Sequence, residues 1–407
     1  MKKRISMALT KMTRTSIKEI LQVFLLFTAF CAPLTNAIQQ DYGIVYEWKT
    51  VNFDFPDGQI LEDGYFVPEN CTLTGLKIYQ DRVFVTVPRW ASGVPSTLNV
   101  VDPDTNLLQA WPSWNMQELG NCSAFQFVQS MEIDKQGRMW TLDTGTAADF
   151  PYASLCPAKL IVLDLTTGNV VLTHEFPEEV APFGMNFLND VVLDTDEQGI
   201  VTFAYITDVR VPGIVVYDVF ADRSWRAFHS SMLSEEFGDE FVIQGDTYFV
   251  VDAHVDGIAM SERGRTTERK LFYCPLSGFN LYSMDLKALQ DEAVATDELL
   301  LDTVVSLVGT KASQTDGMVL DSNGRLYFGL MSQMGIAVWN STDADFEPEL
   351  IVTGEVFEWI DTFAIDSEGF LWVTTNKLNR FFNGTLDVND TNFRIIKTFI
   401  GAGSYLD

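Results

Sequence analysis

Along this chain an alternating apolar and polar run, an acid, a small polar stretch, a glycine and a second run rich in aromatic and aliphatic residues recur together six times. The clearest copy is Asp316-Gly317-Met318-Val319-Leu320-Asp321-Ser322-Asn323-Gly324-Arg325-Leu326-Tyr327-Phe328. Residues Asp361 to Val373 and Gln129 to Trp140 repeat it closely, and weaker copies begin at Thr74, Asn189 and Asp256. Alternation on either side of an Asp/Ser/Gly turn predicts a β-hairpin. The copies start 55, 60, 67, 60 and 45 residues apart, which is room for a four-stranded sheet with its loops. A period of that length marks a propeller or a solenoid, and the lack of sustained helical periodicity between copies favours radial blades. The chain therefore reads as all-β, a six-bladed β-propeller. Its ring closes if the strand Val45-Tyr46-Glu47-Trp48 pairs with Phe393-Arg394-Ile395-Ile396. Each inner strand begins at the first residue of a copy, so Gln129, Asn189, Asp256, Asp316 and Asp361 are expected to converge on one mouth of the central channel.

The residues before the first copy have a different character. Lys2, Lys3, Arg4, Lys11, Arg14 and Lys18 precede an apolar run from Ile20 to Ala32, and Thr35-Asn36-Ala37 follows with small residues suited to cleavage. The pattern is that of a signal peptide over residues 1–37, and the apolar run is shorter than the roughly 20 residues a membrane span needs. Residues 38–407 then form one secreted, extracellular domain. The whole chain carries a formal charge of −29, and loss of those six bases with Glu19 takes it further from neutrality. Such a surface repels nucleic acid and anionic lipid, which excludes both as partners, and attracts cations, amines or basic proteins.

Cys31 falls in the signal, leaving Cys71, Cys122, Cys156 and Cys274. An even number in a secreted chain predicts two disulfides with three possible connectivities, of which Cys122 with Cys156 brackets the second copy and is preferred. Five sequons, at Asn70, Asn121, Asn340, Asn383 and Asn389, fit a glycosylated secretory protein. With three histidines after the signal and no clustered cysteines, no zinc site is expected.

Val87-Pro88-Arg89-Trp90-Ala91-Ser92-Gly93-Val94-Pro95, Leu142-Asp143-Thr144-Gly145, Cys156-Pro157-Ala158-Lys159-Leu160, Ala204-Tyr205-Ile206-Thr207-Asp208, Ser224-Trp225-Arg226, Tyr273-Cys274-Pro275-Leu276 and Trp372-Val373-Thr374-Thr375-Asn376-Lys377-Leu378 resemble, in order, the yellow/major royal jelly protein family of insects. The resemblance implies a secreted six-bladed propeller. It implies roles in melanin pigmentation, in hardening of cuticle or eggshell, in dopachrome conversion or in binding of biogenic amines. The positions that hold an amine in the last blade of the amine binders are occupied here by Asp361, Asn376 and Leu378, of which Asn376 alone keeps the family residue. Val338 and Gly137 stand where the family often has cysteines, so its disulfide map is not carried over.

Isomerisation of a dopachrome-type substrate needs a base at carbon and donors for the developing enolate. His254, Asp256, Asp316 and Asp361 are the candidate acids and bases, with Gln129, Asn189 and Asn376 as donors and Leu378 as a ligand contact. No cofactor is required by this chemistry. Inward oxygen ligands at a propeller mouth also suit Ca²⁺, a second reading of the same residues. The expected partners are a small aromatic amine or catechol-derived ligand, and extracellular matrix or eggshell proteins. Three classes remain open: isomerase, amine carrier and matrix protein.

Overall fold

The computed structural model describes residues 40–56, 62–147, 153–263 and 269–407; the predicted signal peptide lies outside them. Six four-stranded antiparallel sheets follow one another along the chain. Blade 1 is Leu76–Tyr79, Arg82–Thr86, Leu98–Val101 and Leu108–Ala110; blade 2 is Val128–Ile133, Arg138–Asp143, Lys159–Asp164 and Val170–Glu175. Blade 3 is Leu188–Thr195, Val201–Asp208, Gly213–Asp218 and Arg223–Ala227, and blade 4 is Val255–Met260, Lys270–Pro275, Asn280–Asp285 and Ser306–Thr310. Blade 5 is Met318–Leu320, Arg325–Leu330, Gly335–Asn340 and Glu349–Thr353. Blade 6 takes Ile360–Ile365, Phe370–Thr375 and Phe393–Phe399 from late in the chain and Tyr42–Trp48 from early in it as its outermost strand. The closing register is Tyr46 with Ile395, Glu47 with Arg394 and Trp48 with Phe393, the pairing the sequence predicts. First strands of successive blades adjoin around the ring, blade 6 meeting blade 1, so they line the channel.

The recurring cassette has a physical cause. Its second acid sits in the hairpin turn with both oxygens used. Asp134 Oδ1 accepts from the Gln136 and Arg138 amides while Oδ2 accepts from Trp140 Nε1 at 2.9 Å. Asp366 repeats this with the Glu368 and Phe370 amides and Trp372 Nε1 at 2.7 Å. Asp321 does so with the Asn323 and Arg325 amides and the Tyr327 hydroxyl. The turn glycines Gly137, Gly324 and Gly369 have φ of 72°, 79° and 85°, a conformation only glycine adopts at no steric cost. One carboxylate thus fixes turn, strand and the large aromatic that packs between blades.

Threonine hydroxyls join neighbouring blades at the channel wall. Thr86 donates to the Gln129 carbonyl at 2.7 Å, Thr207 to that of Asp256 at 2.8 Å, and Thr374 to that of Thr74 at 2.7 Å. In blade 4 Cys274 stands nearest the corresponding position, its Sγ 3.9 Å from the Thr315 carbonyl.

The cysteines depart from expectation. Cys122 and Cys156 form a disulfide, but Cys71 and Cys274 are both free and buried. They belong to separate cores: Cys71 packs with Val51, Leu73 and Val87, and Cys274 with Tyr273, Met318 and residues of blades 3 to 5. An even count therefore did not mean complete pairing. Among the sequons, Asn121, Asn383 and Asn389 are exposed whereas Asn70 and Asn340 are half-buried.

Candidate functional site

The first residues of the inner strands do meet at one end of the channel, and a register shift puts them there. In blades 2, 3, 4 and 6 the pairing with the second strand slips between Val128 and Met131, Leu188 and Val191, Val255 and Ile258, and Ile360 and Phe363. A slip of this kind frees residues from the ladder and bends the strand. Gln129-Ser130, Asn189-Asp190, Asp256-Gly257 and Asp361-Thr362 fall in those gaps. Glycine is needed at Gly257 and Gly317, because a Cβ on either would collide with a backbone carbonyl of the next blade, that of Asp316 or of Asp361.

Asn189, Asp256, Asp316 and Asp361 are all buried there. Asn189 Nδ2 donates to Asp256 Oδ1 at 2.5 Å, bridging blades 3 and 4. Asp256, on the inner strand of blade 4, and Asp316, just ahead of that of blade 5, influence one another, the negative charge of Asp256 helping to raise Asp316. Trp359 Nε1 donates to Asp316 Oδ2 at 2.7 Å. Asp361 accepts from Asn376 Nδ2 at 2.7 Å and from the Thr362 hydroxyl at 2.9 Å, and Asn376 also donates to the Leu73 carbonyl.

Burial pushes Asp256 and Asp316 well above the ordinary carboxylate range, and the negative charge of their neighbours, Asp361 among them, adds to it. Asp361 is pushed up to about 7, again chiefly by burial, against the pull of its Thr362 and Asn376 bonds. Among the described residues no cationic side chain is among the principal influences on these three. Gln129 is buried at the corresponding place in blade 2, its side-chain Oε1 unpartnered among the described residues.

His254 is not part of this group. Its Nδ1 accepts from the Ser234 amide at 3.0 Å, its charged neighbours are Asp252 and Asp208, and burial holds its imidazole below the ordinary value. Leu378 joins the polar group through its backbone, its amide donating to Asn376 Oδ1 at 3.2 Å, while its side chain packs in an apolar lid with Trp90, Phe127, Phe241, Ile243, Leu276, Met331 and Trp359. Phe241 and Ile243 come from an added hairpin, Glu240–Ile243 with Asp246–Phe249, between blades 3 and 4. Gln314 secures that hairpin by donating to the Gly238 and Glu240 carbonyls. Phe241 stacks on Trp359 at 5.5 Å, and Trp359 reaches down to Asp316. Lid and carboxyls are thus one construction.

Several residues here carry no signal in the repeat. Asp190, one position beyond Asn189, lies deeper in the channel. Burial pushes it up to about 6, with Lys77 and the Ser130 hydroxyl at 2.8 Å opposing. Lys77 and Glu132 pair at 2.9 Å. The segment after the last strand then crosses the far end, where Tyr405 and Leu406 are buried. The Tyr405 hydroxyl accepts from the Leu193 amide at 2.9 Å and donates to Glu132 Oε2 at 3.3 Å. Among the described residues no group of three or more His, Cys, Asp or Glu is arranged to hold a metal ion.

The fold and this site define a class: a six-bladed propeller whose channel holds a group of buried carboxyls beside an apolar lid. The chain belongs to the yellow/major royal jelly protein family, the Major royal jelly protein model matching residues 126–403. It is similar to Protein yellow of Drosophila yakuba and of Drosophila melanogaster, 28% identical over 368 residues in each case, covering 86% of this chain and 67% of each relative. Protein yellow of Drosophila guanche is 28% identical over 369 residues, covering 86% of this chain and 64% of that protein. The chain thus spans about two thirds of the length of these relatives. Among solved structures it is similar to the calcium-binding protein regucalcin from Agrobacterium tumefaciens, with 12% identity, 87% of this chain and 97% of that chain covered, and a TM-score of 0.48. A putative gluconolactonase has 10% identity, coverage of 92% and 98%, and a TM-score of 0.48. The fold itself rests on the sheets described above.

Proposed function

We propose that this yellow-type propeller acts outside the cell in melanisation, or in hardening a covering such as cuticle or eggshell. In this reading the channel carboxyls hold a small catechol-derived molecule or aromatic amine. The observation that carries it is the group Asp256, Asp316 and Asp361, buried beneath aromatic rings and, among the described residues, with no cation among its principal influences. Burying carboxyls in this way is unfavourable unless something offsets it, and a bound ammonium would supply the missing charge. Gln129 Oε1, buried and, among the described residues, unpartnered, is a further acceptor awaiting a donor. The Cys122–Cys156 disulfide and the exposed sequons Asn121, Asn383 and Asn389 support the extracellular setting.

For a dopachrome-type substrate the roles divide by environment. Asp361, poised near neutrality, takes the proton from carbon. The Asp256/Asp316 pair, which holds a proton, donates to the developing enolate oxygen, and Asn189 and Asn376 supply amide donors. The closed lid favours a second reading, a carrier that holds an amine without converting it. Incubation of the purified protein with dopachrome, and calorimetric titration with dopamine and serotonin, separate the two. Faster colour loss than in buffer indicates the isomerase, and heat without colour loss the carrier. Neither signal would refute both.

A further inference from the structure

Beside the lid, and sharing Trp90 and Phe381 with it, lies an open groove of about 630 Å³ walled by Trp90, Phe381, Phe382, Leu386 and Val388. Phe382 lies 5.2 Å from the Trp90 ring and 5.4 Å from that of Phe381, yet it stays 57% exposed. Glu69 and Asn70 are the only acid and amide on the wall, so a free polar ligand finds little to orient it. A tethered occupant needs no such grip, and the wall carries a tether. The chain leaves the short helix Leu378–Phe382 through Asn383-Gly384-Thr385, a sequon. Phe382 and Gly384, on either side of Asn383, both line the groove. The Gly384 amide donates to the Phe381 carbonyl at 3.0 Å and the Thr385 amide to that of Arg380 at 2.9 Å, the paired bonds of a glycine-capped helix end. This closure fixes Asn383 between two residues of the groove wall, and its Nδ2 donates to the Asn379 carbonyl at 2.8 Å.

We propose that Asn383 carries an N-linked oligosaccharide whose first N-acetylglucosamine lies in this groove, on the rings of Phe382 and Trp90. The inference rests on the extracellular reading, since the sugar is added in the secretory route. Asn383 Nδ2 attacks C1 of an oligosaccharide carried on a lipid pyrophosphate. The Nδ2–C1 bond forms as the C1–O bond breaks, the lipid pyrophosphate leaves, and Nδ2 gives one of its two protons to water. The N–H that remains keeps the Asn379 bond, which orients the sugar. The C–H face of the sugar lies on rings whose faces are negative, and its hydroxyls stay in water. The sugar thus covers Phe382 and braces Trp90 of the lid. Asn70, the other sequon residue on this wall, is not the anchor. It is half-buried, its Nδ2 is tied to the Ser92 carbonyl at 2.8 Å, and Cys71 and Thr72 of its sequon are fully buried.

Peptide-N-glycosidase cleaves the amide that joins sugar to Asn and leaves Asp, a mass change that marks each occupied position. It acts slowly where the first sugar is held against the protein. The whole protein, secreted from cultured mammalian cells, is treated in its native state, and release at each sequon is followed by mass spectrometry of its peptides. Asn383 is expected to be occupied, and Phe382→Ala to speed release there by about fivefold, with release at the other occupied sequons unchanged. If Phe382→Ala does not fold, Val388→Ser, on the same wall and 36% exposed, is read in its place with the same expectation. Sugar at Asn121 or Asn389 with none at Asn383 overturns the inference and leaves the extracellular reading standing. A chain without sugar at any sequon overturns both. Sugar on Asn70 in place of Asn383 overturns the choice of anchor and the inference with it. Release from Asn383 at the original rate in the variant also overturns it, because the sugar then stands free in solvent.

Discussion

Replacing Asp361 by Asn tests the ionisation state of the channel through stability alone. Asn preserves the shape; its carbonyl oxygen still accepts from Asn376 Nδ2, and the Thr362 hydroxyl turns to accept from the new amide. What changes is that residue 361 no longer ionises. In the folded protein Asp361 is raised from 3.8 to about 7. A carboxyl raised on folding contributes stability that is fully present below its unfolded value and lost as pH rises through its folded value. The unsubstituted protein therefore loses stability from this group between about pH 4 and pH 7. At about 1.36 kcal/mol per unit, the three-unit rise amounts to roughly 4 kcal/mol. Asp361→Asn is accordingly close to the unsubstituted protein at pH 4 and more stable by several kcal/mol at pH 8. For a domain of this size that is about 5 °C in melting temperature. Thermal or urea unfolding of the two proteins across pH 4 to 8 measures the difference. A difference that stays flat over this range would falsify the claim that Asp361 is held protonated by burial.

Other consequences follow from single residues. Arg89 is fully buried and donates to the carbonyls of Val94, Pro95, Gln117, Phe125 and Gln126; Arg89→Ala strands these acceptors and lowers unfolding free energy by about 4 kcal/mol or more, and near-unchanged denaturant midpoints would contradict this role. The Cys122–Cys156 bridge spans 34 residues, so the Cys122→Ser/Cys156→Ser double variant loses about 4 kcal/mol in the same assay. Cys71 and Cys274 are buried free thiols, and burial raises both above the ordinary thiol value; a thiol reagent modifies neither in the native protein and both once it is unfolded. Rapid native labelling would place them elsewhere.

Much of this architecture is visible in the chain before any coordinates. The turn acids Asp134, Asp321 and Asp366 and their aromatic partners give a signature that survives divergence between blades, since one carboxylate serves turn and strand at once. The convergence of Asn189, Asp256, Asp316 and Asp361 follows from counting copies. Asp190 escapes that count because a regular strand sends successive side chains to opposite faces, and only the slip between Leu188 and Val191 brings it into play beside Asn189. Trp359 sits at a φ of 53° just ahead of its blade, and Tyr405 lies beyond the last strand; neither belongs to the repeat. The free state of Cys71 and Cys274 depends on which cores they occupy, and a count of cysteines contains no such information. His254 precedes an inner strand by one residue, yet its ring is turned to the Ser234 amide.

The central claim is that the channel carboxyls are a site for a cationic ligand. Calorimetric titration with dopamine in buffers of differing ionisation enthalpy measures the protons released on binding. An ammonium that ionises Asp361 releases a proton below its folded value of about 7 and progressively less above it, and Asp361→Asn abolishes that release. Binding with no pH-dependent proton release, or no binding at all, would contradict the account.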